Sequence, residues 1–320
     1  MYILEYTDFK RVICDELKHR FTREELYLEL KVTEVHTINT KKDKLAVVDP
    51  TRPDAFPVFY LDDIYKYYKE CGDIYSTAHD VVNEVKRTFS NIPKLHVSND
   101  IVENNVYLSL INRDKNAEIL NMVPNREFYD LAVTYRVKVT ETTDFLVTNK
   151  LMNELNLSED KLYQAAYKNT PEILGEVCCM ELDDWYMNEL KAALNDDEIT
   201  YESTDMQDVS EEPIFVLKFQ DSSENGSAVI LYDDAIQDMA DKIDDELIML
   251  FPNSDELLIT SEKCRNKVNE LFDAERVPQE KFLSDKNYIY NKKTKEITVA
   301  DNHKVLEKSN LDNVKQHKRR

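Results

Sequence analysis

Apolar and polar residues alternate along this chain with two distinct periods. Leu28, Leu30 and Val32 alternate with Glu29, Lys31 and Thr33, and Leu131, Val133, Tyr135, Val137 and Val139 alternate with Thr134, Arg136 and Lys138. A period of two places each set on its own face, so both stretches predict strands with one buried side. Residues 106–111 and 214–219 are apolar almost without interruption, as strands covered on both faces are. Helical spacing links Ile74, Ala78, Val81, Val85 and Phe89, and again Ile236, Met239, Ala240 and Ile243. Ser158 followed by Glu159 and Asp160 predicts a capped helix start before Leu162, Ala165 and Ala166, and Pro171 predicts its stop. Strands and helices alternate without a strict βαβ rhythm, which predicts an α+β fold: mixed or antiparallel sheets with packed helices, in one large or two closely packed lobes.

Residues 195–213 lack periodicity and are rich in Asp, Glu, Ser and Thr. They predict a flexible acidic linker at 195–212 between an N-terminal lobe, 1–194, and a C-terminal lobe, 213–300, or else a loop inserted in one domain. Periodicity is lost again over 301–320, which reads as a disordered basic tail ending in Lys315-Gln316-His317-Lys318-Arg319-Arg320. The 41 Lys and Arg against 63 Asp and Glu give a net charge of −22, and residues 181–256 carry −20 of it. The acidity is therefore regional, and the remaining chain is nearly balanced. A short basic tail on such a chain is a solvated end, so nucleic acid is not expected as a partner.

Glycine excludes more than charge does. The three glycines, Gly72, Gly175 and Gly226, lie far apart. They cannot form a phosphate-cradling loop of Walker or Rossmann type, nor a G-x-S-x-G nucleophile elbow. The five cysteines form no C-x-x-C pair, and vicinal Cys178-Cys179, flanked by Val177 and Met180, read as small apolar core residues rather than a redox site. Glu5 and Asp8 interrupt any apolar signal segment, and no apolar run approaches the ~20 residues that span a bilayer. The expected compartment is the cytoplasm, without membrane contact.

Adjacent acids at Asp62-Asp63, Asp183-Asp184, Asp233-Asp234 and Asp244-Asp245 point to different faces of any regular element, so no metal is assigned to them. The triplet Glu84-Val85-Lys86 after Asp54 imitates a nuclease kernel, but in a helix its two charged side chains diverge by about 200°. The six histidines show no metal-ligand spacing. No cofactor and no catalytic residue is assigned. Tyrosines are dense at Tyr60, Tyr65, Tyr67, Tyr68 and Tyr75. On a helix, Leu61, Ile64, Tyr65 and Tyr68 share an inward face and Tyr67 falls outside it, which marks Tyr67 as a possible partner surface.

One ordered set of motifs resembles a known group. Val106-Tyr107-Leu108-Ser109-Leu110-Ile111-Asn112-Arg113, then Asn116, Leu120, Pro124 and Phe128-Tyr129-Asp130-Leu131-Ala132-Val133, is similar to the bacterial family of domains of unknown function numbered 5688. The likeness continues through Thr148-Asn149, Asn169-Thr170-Pro171, Cys179-Met180-Glu181, residues 226–232, Leu250-Phe251-Pro252-Asn253-Ser254 and Leu283-Ser284-Asp285 before Tyr288. A fainter likeness, at 130–135, 151–169 and 250–259, is to another uncharacterised bacterial family, numbered 1444. Two departures stand out. Asn253-Ser254-Asp255-Glu256 is shorter than the family's pattern and lacks its His, and the family's Asn after the first C-terminal strand is missing from Leu217-Lys218-Phe219-Gln220.

The resemblance implies a polar cluster of Asn112, Arg113, Asn116, Asp130, Asn169, Ser254 and Glu256. Amides that follow a strand can close turns onto the backbone, and an Arg113–Asp130 pair would be structural; the same residues could also form a ligand cluster. The expected function is that of a non-enzymatic binding or protein-interaction module with a protein partner. The competing expectation is a hydrolase assembled around Arg113, Asp130, Ser254 and Glu256.

Overall fold

The computed structural model describes residues 3–51, 56–91, 97–140, 143–194, 213–222, 224–265, 268 and 277–301. It divides into two compact units, Met1–Val97 and Ser98–Arg320. The expected acidic linker, 195–212, and residues 302–320 of the expected tail lie outside the described residues.

The first unit opens with α1 (Tyr6–Arg23), followed by the hairpin β1 (Glu29–Thr37) and β2 (Thr40–Val48), then β3 (Val58–Tyr60), α2 (Leu61–Cys71) and α3 (Ile74–Asn91). The strands form an antiparallel sheet in the order β1-β2-β3. Thr37 faces Thr40 across a two-residue turn in which Asn39 takes φ 61, a conformation that asparagine tolerates well. Phe9, Ile13, Leu17 and Phe21, four residues apart, form the buried stripe of α1 and pack with Leu45 and Val47 of β2, Leu61 and Tyr68 of α2 and Val82 and Val85 of α3. Each such side chain contributes about 1.5–3 kcal/mol on burial. The alternation at 28–33 does lie at a strand, with Leu28 and Leu30 partly buried against the core, but Val32 of the edge strand β1 remains 45% exposed.

The second unit runs α4 (Asn99–Asn105), β4 (Val106–Asn112), α5 (Ala117–Leu120), β5 (Arg126–Phe128), β6 (Leu131–Thr140), β7 (Thr143–Leu146), α6 (Asn149–Leu155), α7 (Glu159–Leu174), β8 (Val177–Glu181) and α8 (Leu182–Leu194). It continues with β9 (Phe215–Phe219), a 3-10 helix (Gly226–Leu231), α9 (Asp233–Ile243), β10 (Leu247–Leu250), β11 (Leu257–Ser261), β12 (Lys286–Asn291) and β13 (Glu296–Asp301). β4 and β5 flank β6, which also pairs with β7; the larger sheet has the order β13-β12-β10-β11-β9-β8. Every strand pair in the three sheets is antiparallel. The fold is α+β, as its irregular alternation of elements predicts. β8 and β9, which flank the acidic stretch in the sequence, are neighbours in the larger sheet.

β4 is buried at every position, as its nearly continuous apolar run predicts. β6 differs from expectation: Leu131 to Tyr135 are buried on both faces, not one. Its polar position is accommodated because Thr134 stands opposite Ser109 of β4, and the two hydroxyls share a hydrogen bond of 2.8 Å. A satisfied hydroxyl pair can be buried without the cost of an unpaired polar group.

Pro171 does not stop α7, which continues to Leu174 and ends at Gly175 with φ 84. Proline removes the N–H that would bond the carbonyl of Tyr167. The Tyr232 hydroxyl donates to that carbonyl instead, at 2.7 Å, so the gap is closed by a side chain 65 residues on. The start of the helix agrees with the sequence, since the Ser158 hydroxyl accepts from the Lys161 N–H.

Candidate functional site

Three of the matched polar residues of the second unit, Asn112, Asn116 and Asp130, serve the turns that follow β4 and β5. Phe128 faces Leu131 across Tyr129 and Asp130, and Tyr129 takes φ 56, a conformation disfavoured for a residue with a bulky side chain. Its ring packs edge-on against Phe128 and Tyr288, and its hydroxyl donates to the Ile297 carbonyl at 2.6 Å. The turn presents Asp130 to β12 and the segment before it. Asp130 Oδ1 accepts from the Tyr288 hydroxyl at 2.5 Å, and Oδ2 accepts from Ser284 at 2.7 Å. Burial, followed by the hydrogen bond to Asp130, pushes the Tyr288 hydroxyl far above the ordinary tyrosine range.

Asn112 and Asn116 serve the same junction. Asn112 Nδ2 donates to the Leu283 carbonyl at 2.7 Å, its Oδ1 accepts from the Lys115 N–H, and Asn116 Nδ2 donates to the Asn112 carbonyl. These are the turn-closing amides anticipated from their place after a strand. The Arg113–Asp130 side-chain pair does not form. Arg113 meets Asp130 only through its backbone N–H, at 3.0 Å, and its guanidinium lies 3.5 Å from exposed Glu127. Asp130 accepts from Ser284 and Tyr288 instead, and the Arg113 guanidinium pairs with Glu127 of the neighbouring strand β5. Asn169 lies elsewhere, bonding the Glu103 carbonyl at 2.7 Å and so tying α7 to α4.

Ser254 and Glu256 belong to a second cluster, in the turn between β10 and β11. Its centre is Asp255, which motif reasoning passed over: it is 7% exposed and accepts from the Asn225 N–H, the Ser254 hydroxyl and Lys281 Nζ. Gly226 packs so closely here that a Cβ would collide with the Asp255 carbonyl and come within 2.6 Å of Ser222 Oγ. Glu256 Oε2 accepts from Asn253 Nδ2 at 3.0 Å, and burial raises its carboxyl above the usual range against the opposing pull of that bond and of Lys218. No hydrogen bond among the described residues links Ser254 or Glu256 to Arg113 or Asp130.

Two further constellations had no motif to announce them. In one, Glu159 accepts from Tyr135 and receives both Arg126 Nε, at 2.6 Å, and Nη2, at 2.9 Å. In the other, Asp144 accepts from Tyr107 and Arg136, which face each other across β4 and β6. Burial opposes ionisation of both carboxyls, yet the bonds from arginine and tyrosine hold them below the usual range. The alternation of β4 and β6 reveals which residues point together but not the distant carboxylate they meet. No group of three or more His, Cys, Asp or Glu side chains placed to hold a metal occurs among the described residues, and the five cysteines are unpaired. Cys178 and Cys179 are half-buried, with Cys179 Sγ 3.4 Å from Met239 Sδ.

The first unit offers outward aromatic surface. In α2, Leu61, Ile64 and Tyr68 are buried, as their stripe predicts, whereas Tyr67 is 44% exposed and donates to Asp80 Oδ2 at 2.7 Å. Tyr27 is 86% exposed and lines a groove of about 550 Å³ together with apolar Leu26, Leu28, Val85 and Phe89 and charged Glu25, Asp49 and Lys86. The periodicity of 28–33 predicted the adjoining strand but not this groove.

No helix among the described residues is long and apolar enough to cross a membrane. No curated protein and no solved structure matches the chain. The sequence model of one family of unknown function matches residues 6–292, which include every motif residue of both polar clusters. The chain therefore belongs to that family, DUF5688.

Proposed function

We propose that this protein is a non-enzymatic protein-interaction module acting in the cytoplasm. The observation that carries the reading is a division of labour between side chains: the motif's Asn112, Asn116 and Asp130 are spent on hydrogen bonds within the chain, while large tyrosines face outward. Tyrosine suits a partner surface because it buries area at low entropic cost and keeps a polar tip. Tyr27 with the groove it lines is the anchor, and Tyr67 is a second exposed tyrosine of the same unit. Five unpaired cysteines fit a reducing compartment.

A hydrolase assembled around Arg113, Asp130, Ser254 and Glu256 is favoured by one observation, the raised carboxyl of Glu256, which suits a general acid. Against it, the Asp130 oxygens are occupied and Ser254 donates to Asp255, not to a base positioned to activate it.

Recovery of the full chain from cells that make it, followed by intact-complex mass spectrometry, tests the reading. A stoichiometric protein that is lost with Tyr27→Ala or Tyr67→Ala and kept with Arg113→Ala supports it. A bound small molecule that disappears with Arg113→Ala or Glu256→Gln overturns it in favour of the enzyme.

A further inference from the structure

In the first unit, β1 is the outer strand of its sheet, and no strand among the described residues pairs with its open edge. Thr37 and Thr40 flank the two-residue turn and so form a hydrogen-bonded pair, which turns every second residue of β1, back to Lys31 and Glu29, towards β2. Leu30 and Val32 fall between these and direct their N–H and C=O groups to the open edge. The partner strand agrees, because Val47, opposite Leu30, donates its N–H to the Pro57 carbonyl on the far side of β2. Two usual guards of an open edge, a bulge and a proline, are missing from β1, whose register with β2 is unbroken along its whole length.

The side chains along this edge complement their own reversed order. Laid antiparallel on a second copy with Leu30 opposite Leu30, the segment Leu28-Glu29-Leu30-Lys31-Val32 sets Leu28 opposite Val32 and Glu29 opposite Lys31, each twice by symmetry. Residues opposed in this way share a face of the sheet. Leu30 and Val32 stand beside Val47 and Leu45 of β2, so the apolar pairs extend the core face, where Leu28 and Leu30 are partly buried and Val32 is exposed. Glu29 and Lys31 are exposed on the other face, 3.8 Å apart, and two copies set the four charges in an alternating square. Charge also selects the register. Centring on Lys31 opposes the two lysines, and centring on Val32 sets Lys31 against Thr33 and Glu29 against Val35. With Leu30 at the centre, its N–H and C=O meet those of its counterpart, and the Val32 N–H meets the Leu28 carbonyl.

We propose that two copies of this protein associate through β1, antiparallel about Leu30, so that their sheets become one. The open backbone edge calls for an extended strand, and the self-complementary charges select a second copy of this chain as its source. The ladder is short beside a permanent interface, so the dimer forms and dissociates with concentration. The proposal goes beyond the groove at Tyr27 and stands without a partner there.

The test is sedimentation velocity of the full chain over a range of concentrations, with circular dichroism confirming that each variant folds. A reversible equilibrium between monomer and dimer is expected. Lys31→Glu and Glu29→Lys each turn two attractive pairs into two repulsive ones and should weaken the dimer about tenfold or more. The exchanged variant E29K/K31E keeps the pairs with their signs reversed and should return to within about threefold of the parent. Mixed together, the two single variants should associate with each other, because each supplies the charges that the other lacks. Val32→Pro removes an N–H that does not bond β2 and should abolish the dimer while the fold is kept. Lys150→Glu, the same charge change at an exposed residue of the second unit, should alter affinity less than about twofold. A chain that stays monomeric up to about 1 mM, a dimer as stable with Lys31→Glu as without it, or single variants that remain apart when mixed overturns the proposal, whatever binds at Tyr27.

Discussion

Replacing Tyr288 with phenylalanine removes one oxygen from the centre of the Asp130 junction. The ring is unchanged in volume, so its contacts with Phe128, Tyr129 and Phe251 persist. What is lost is the 2.5 Å bond from a fully buried hydroxyl to Asp130 Oδ1, while Ser284 still donates to Oδ2. Hydrogen bonds to charged groups contribute about 1.5–3 kcal/mol, and Asp130 is half-buried, so water can take up part of the loss. The expected destabilisation is about 1.5–2 kcal/mol, a fall in Tm of about 3–8 °C for a unit of this size. The single tryptophan, Trp185, packs against the core of the second unit, so its fluorescence in urea follows the unit that contains the junction. Asp130→Asn combined with Tyr288→Phe should cost less than the sum of the two single changes, because both act on one bond. Tyr288→Phe and Ser284→Ala variants that each unfold at the parent's urea midpoint would refute the claim that Asp130 fastens the fold.

Glu256→Gln keeps the acceptor for Asn253 and removes a charge that burial disfavours. A carboxyl raised by folding lowers stability as pH climbs through its folded value, so the Gln variant should be more stable than the parent at pH 7, and the difference in urea midpoint should vanish below about pH 4. Asp144 has the opposite sign: its stabilisation is complete above the ordinary carboxylate pKa and is lost as pH falls through the lowered folded value. Asp144→Asn should therefore be less stable at pH 7 and should flatten the decline in stability between about pH 4 and 2; an unchanged acid limb would contradict this. Gly226→Ala should cost about 2 kcal/mol or more, because the new methyl meets backbone rather than a movable side chain, and a loss below about 0.5 kcal/mol by the same fluorescence assay would show that the close approach is not maintained.

Elements whose pattern is carried by their own residues were legible in the sequence. The stripes of α3 and α9, the buried run of β4 and the cap at Ser158 depend on neighbours within one or two turns, and each is found where the pattern puts it. Expectations failed where a residue's fate depends on a distant partner. Pro171 sits inside a helix because Tyr232 supplies the missing donor. Thr134 is buried because Ser109 faces it, and Asp130 is met by Ser284 and Tyr288, over 150 residues later, while the Arg113 guanidinium meets Glu127. At the candidate site, a place just after a strand already suggests turn-closing amides at Asn112 and Asn116, whereas the donors that meet Asp130, Ser284 and Tyr288, lie too far along the chain for the motif to reveal. The polar cluster read from the motif omits Asp255 although it lies between two of its members, since sequence does not distinguish a buried carboxylate from a solvated one until its donors are known.

The most direct measurement of the central claim is hydrogen exchange on the recovered complex against the free chain. If the motif residues fasten the fold and the outward aromatics bind, partner-dependent protection should concentrate at residues 25–29 and 85–90 around the Tyr27 groove, with the amides of 112–116, 128–131 and 253–256 unchanged. Protection centred on 112–116, 128–131 and 253–256, with the Tyr27 groove unaffected, would contradict the claim and place the working surface at the motif itself.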